Sequence, residues 1–69
     1  MNGKLVTVVD ENLLILQRES GVAIEAIVIE PGNQENLEAV GDRIDLWKRE
    51  RGIDAAEARR LVEEYLAEC

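Results

Sequence analysis

The chain has no histidine and no phenylalanine, and it holds only one residue each of cysteine, proline, methionine, tryptophan and tyrosine. Each shortage closes off a class of function. Histidine is the usual proton carrier of general acid-base catalysis. The candidate nucleophiles that remain are Ser20 in a turn-forming stretch, Thr7 inside an apolar run and Cys69 at the last position. Nucleophilic catalysis needs such a group beside a base, and no triad can be assembled from these three. Thiolate zinc ligands come in sets, with histidine as their common companion, so no zinc site is expected. A lone cysteine also leaves no internal disulfide. The spacings of calcium-binding EF-hand loops, glycine-rich phosphate loops and redox cysteine pairs are missing too. The carboxylate pairs Asp42 with Asp45 and Glu63 with Glu64 read as solvated acids on a helix surface. No enzyme activity, cofactor or metal is expected.

Basic charge is the next shortage, with 8 Lys and Arg against 15 Asp and Glu and a net charge of −7. Residues 1–30 hold two basic and five acidic residues, and residues 31–69 hold six and ten. Neither stretch supplies the basic footprint that phosphate neutralisation demands, so nucleic acid is not an expected partner. An acidic surface instead steers basic protein surfaces towards it. No stretch approaches the roughly 18 apolar residues of a membrane-spanning helix. The first residues show no basic segment followed by an apolar run, and a prenylation signal would need a cysteine where Leu66 stands. The expectation is a cytoplasmic protein with no membrane attachment.

What the chain does have is a change of apolar period. Before Glu30-Pro31-Gly32-Asn33 lie three short, mostly β-branched runs at residues 4–9, 13–17 and 22–29. Asp10-Glu11-Asn12 and Glu19-Ser20-Gly21 separate them with turn-forming residues, which predicts an antiparallel meander. Residues 11–20 also admit a short helix capped by Asp10, because leucine favours helix. Leu13 to Leu16 and Ile27 to Ile29 place apolar side chains on both faces of any sheet they join. Glu30-Pro31-Gly32-Asn33 fits a type II turn, with glycine supplying positive φ at the third position.

Beyond that turn the period becomes helical. Asn33 caps a helix over 34–51 whose seam is Leu37, Val40, Ile44 and Trp47, with Lys48, Arg49 and Arg51 in its last turn and Gly52 as its stop. Asp54 and Glu57 have the spacing of a capping box for a second helix, and Ile53 is placed to staple onto Ala58. Ala58, Leu61, Val62, Tyr65 and Leu66 make the apolar stripe of that helix. Arg59 with Glu63 and Arg60 with Glu64 are spaced as surface ion pairs. The predicted fold is α+β, a single domain over 1–69. A three-stranded antiparallel meander in the β-rich residues 1–30 is followed by a helical hairpin over 33–69 packed on one sheet face.

Two helices cover only one face of a sheet, and an open apolar patch beyond a few hundred Å² is an aggregation hazard. At 69 residues a hydrophobic core alone supplies no more than about 3 to 5 kcal/mol. A homodimer, or a protein partner on the second face, is therefore expected. Trp, Tyr and Arg dominate protein-protein hot spots, so Trp47, Tyr65, Arg43 and Arg51 are the candidate interaction residues. Trp47 reads first as the core residue that completes the seam, and Arg43 and Arg51 read also as simple solubilising charge.

Residues 48–66, through the turn Arg51-Gly52-Ile53-Asp54 and with Ile27-Val28-Ile29 upstream, resemble the helix, glycine turn and helix of ribbon-helix-helix repressors and antitoxins. The resemblance covers roughly half the chain and implies a dimer that reads the DNA major groove with strand side chains. Here that strand carries Glu25 and Glu30, and the turn offers Asp54 rather than a hydroxyl to a phosphate. The leading expectation is therefore a small acidic protein-interaction module that acts as a regulatory inhibitor or anti-activator. The arginine- and glutamate-rich helices are compatible with a bacterial or phage source. A DNA-binding regulator of ribbon-helix-helix type is the alternative.

Overall fold

A computed structural model describes residues 4–69. Three strands, β1 (Leu5–Asp10), β2 (Leu13–Arg18) and β3 (Ala23–Val28), precede two helices, α1 (Gln34–Arg51) and α2 (Ala55–Ala67). The strands form one antiparallel sheet in the order β1-β2-β3. Residues 13–18 are strand, so the helical alternative for that stretch gives way. Pairing on both sides satisfies the backbone of β2, and its alternating burial lets Leu14 and Leu16 reach the core, an arrangement that outweighs leucine's helical preference.

The register sorts the side chains. Val9, Leu14 and Ile27 lie in one cross-strand row and Thr7, Leu16 and Glu25 in another, both on the face beneath the helices. A bulge between Leu16 and Gln17 leaves Ile24 as the extra residue of β3. α1 contacts β3, α2 contacts β1, and the helices contact each other. Leu14 and Leu16 of the central strand are thus wholly buried, together with Ile29, Val40, Ile44, Trp47 and Ala58. Each buried Leu, Ile or Val side chain contributes about 1.5 to 3 kcal/mol of transfer free energy.

Local chemistry sets the ends of the elements. Gly32 has φ +84°, and the Asn33 N–H donates to the Glu30 carbonyl at 3.1 Å, which closes the turn after β3. Asn33 Oδ1 accepts from the Asn36 N–H at 3.1 Å, capping α1. Asn36 then bridges the two layers. Its Nδ2 donates to the Val28 carbonyl at 2.9 Å while its Oδ1 accepts from the Glu30 N–H at 2.7 Å. α1 stops where Gly52 takes φ +71° and returns its N–H to the Lys48 carbonyl at 3.1 Å.

At the start of α2 only half of the expected capping box forms. Asp54 Oδ1 accepts from the Glu57 N–H at 3.1 Å, but the Glu57 carboxylate turns away to Arg60, with contacts of 3.0 and 2.6 Å. A bidentate, charge-assisted guanidinium contact wins over a single neutral backbone donor. Arg60 also binds Glu64, as its spacing predicts. Arg59, by contrast, reaches across to Asp45 of α1 at 2.7 Å rather than to Glu63.

Candidate interaction surfaces

The face of the sheet opposite the helices is built from the alternate residues of the same strands. Val8, Ile15 and Ala26 form one row, Leu13 and Val28 another, and Val6 lies opposite Gln17. The valines, Leu13 and Ile15 are half-buried by one another, and none belongs to the core cluster or packs against it. Gln17 and Asp10, at the ends of their strands, are the polar residues there. The surface is therefore apolar and nearly uncharged on a chain whose residues are 33% charged. The apolar runs at 13–16 and 27–29 create it, because consecutive apolar residues in a strand must fill both faces. Both outer strands also end the sheet without a further strand beside them among the described residues.

The four candidate interaction residues do not share one place. Arg43, Trp47 and Arg51 follow each other at four-residue spacing along α1. Both arginines converge on Glu25 of β3, with Nη1 of Arg43 3.4 Å from Oε1 and Nη2 of Arg51 3.7 Å from Oε2. The paired side chains are 36 to 42% exposed and tie helix to sheet, so each contact contributes at most about 1 kcal/mol. Trp47 between them is 1% exposed and sits in the core. Its indole N–H has no acceptor among the described residues. Tyr65 lies apart on α2, half-buried against the core. Burial pushes its phenol above the ordinary value of 10.0, and the neighbouring Cys69 adds to the shift.

A cleft of about 770 Å³ opens between one end of the sheet and the α1–α2 junction. Lys4, Arg18 and Arg51 line it together with Glu50, Asp54 and Glu57. The opposed charges leave it without preference for an anion or a cation. Hydrogen bonds from Arg60 hold the exposed Glu57 carboxyl below the ordinary carboxylate value. Thr7 is the hydroxyl on its walls. Among the described residues no group of three or more His, Cys, Asp or Glu side chains could hold a metal ion, and no helix is long and apolar enough to cross a membrane.

Comparison with known proteins returns no matching family model, curated protein or solved structure. The functional reading therefore rests on the surfaces themselves. The outer-face residues Val6, Val8, Leu13, Ile15 and Val28 were not among the individual candidates that hot-spot statistics select. Their signal was the unbroken apolar run, which identifies a face rather than an anchor residue.

Proposed function

We propose that this protein is a small regulatory interaction module that self-associates through the outer face of its sheet and acts by occupying a surface of another protein, as an inhibitor or anti-activator does. The observation that carries this reading is the row structure Val8-Ile15-Ala26 and Leu13-Val28, apolar and without a covering element among the described residues. Self-association is favoured over a basic partner at this face by charge. Two molecules of net charge −7 repel unless they meet through a neutral surface, and this face supplies one. A two-fold dimer places the same patch on both subunits, so the surface must complement itself, and facing sheets pack side chains at about 10 Å separation. The acidic helical layer then remains free for a basic partner in the cytoplasm.

Light scattering under reducing conditions at micromolar concentration tests the assembly. The expected mass is twice 7.7 kDa. Ile15→Lys, which puts a charge at the centre of the outer face, is expected to give a folded monomer. A wild-type mass near 7.7 kDa, or an Ile15→Lys protein that stays dimeric, overturns the role of this face. Labelled DNA that shifts with the protein at low salt supports the ribbon-helix-helix alternative instead.

A further inference from the structure

Gly41 lies in the interior of α1, where glycine weakens a helix relative to alanine. Packing within the chain does not require it, because a Cβ placed on Gly41 meets no atom within 4 Å. The missing side chain opens a notch of about 160 Å³ between the two helices. Val40, Ile44 and Val62 form its buried floor, and the half-buried Leu37 and Leu66 form its walls. The lining is mostly apolar, with Arg59 and Glu63 as its charged members, and the opening lies on the helical side of the molecule, away from the outer face of the sheet.

We infer that this notch is the docking point for a basic segment of a partner protein, which inserts one aliphatic side chain over Gly41. The inference rests on the interaction-module reading and specifies its partner site. Volume decides the kind of occupant. Small-molecule sites typically enclose about 300 to 1,000 Å³, so a notch of about 160 Å³ suits a single side chain carried on a larger scaffold. Charge decides its surroundings. Glu63 lines the notch, and Glu38 stands one turn before Gly41 on α1. Arg59, the cation in the lining, is already held by Asp45 at 2.7 Å. Arg43 and Arg51 face Glu25 on the other flank of the helix. The rim is thus left acidic, which attracts lysine or arginine beside the inserted side chain and disfavours a second copy of this acidic chain.

The probe is a synthetic amphipathic helical peptide of leucine and lysine, compared with a scrambled peptide of the same composition and charge that has no apolar face. Titration into isotopically labelled protein should move the backbone amide signals of Leu37, Gly41, Glu63 and Leu66, and the scrambled peptide should bind at least tenfold more weakly. Gly41→Leu fills the notch with the protein's own side chain. It is expected to melt no lower than wild type and to lose at least tenfold in affinity for the amphipathic peptide. Equal binding of the two peptides, signal changes confined to the outer sheet face, or unchanged affinity in Gly41→Leu overturns the inference. Light scattering on the same samples separates this result from the dimer reading. A dimer that fails these tests overturns the notch alone, and a monomer that passes them overturns the sheet-face dimer alone.

Discussion

Trp47 has the largest fully buried side chain in the molecule, yet its indole N–H lacks an acceptor among the described residues. An unsatisfied buried donor costs about 1 to 3 kcal/mol, whereas removal of the whole ring leaves a cavity and costs about 3 to 5 kcal/mol. Trp47→Phe trades lost bulk against a relieved donor and should melt close to wild type, while Trp47→Ala should melt far lower. Thermal denaturation of both variants checks the order, and equal losses would show that the N–H carries no penalty. Tyr65 gives a second residue-scale test because it is the single tyrosine. Its raised pKa means that the fold favours the neutral phenol. The associated stability is complete below the ordinary value of 10.0 and is lost as pH rises through the folded value. Tyrosinate absorbance of the native protein should therefore reach its midpoint above pH 10.0, with melting temperature falling over the same range. A midpoint at or below that of the unfolded chain would contradict the burial of this ring. The aromatic and arginine residues were legible in the sequence as candidates, and the aromatics also as members of the two helical stripes. For Trp47 the seam spacing already pointed inward, and the structure buries it there; the convergence of Arg43 and Arg51 on Glu25 had no such signal.

At the level of elements, the ends of the helices were the most legible feature of the chain. Asn33, Gly52 and Asp54 act on backbone groups only a few residues away, so their effect is local and readable. Asp54 accepts from the Glu57 N–H at 3.1 Å, and Asp54→Ala should cost about 0.5 to 2 kcal/mol by loosening the start of α2. Melting and DNA titration of that one variant at low salt separate two readings. Lost stability without DNA binding fits the interaction module, whereas new DNA binding fits a phosphate-facing junction of ribbon-helix-helix type. Side-chain pairing was less legible because it is settled in space. Arg59 has Glu63 four residues away and still binds Asp45, which the crossing of the two helices brings to 2.7 Å. The notch at Gly41 escaped the sequence for the same reason. A glycine in a helical run is visible, but the space beside it exists only once the second helix is in place. The two-faced apolar character of the sheet, in contrast, followed directly from runs that break strand alternation.

For the whole molecule, charge and apolar area act in opposite directions. Self-association through a neutral face must overcome repulsion between two chains of net charge −7, and salt screens that repulsion within about 8 Å at physiological ionic strength. Dimerisation should tighten as salt rises, and binding of the basic peptide at the helical notch should weaken over the same range. Sedimentation and peptide titration at several salt concentrations check both slopes, and slopes of the same sign would mean that one surface serves both contacts. The dimensions of 40 × 22 × 17 Å leave no thick interior to buffer the two sides from each other, and Asn36 joins them. One amide holds the carbonyl of Val28, whose side chain belongs to the outer face, and the N–H of Glu30, from within the first turn of α1. Asn36 acts as a rivet through both layers. The end of the sheet cannot peel from the start of the helix without breaking both of its bonds, so the two layers should come apart together, as one cooperative unit.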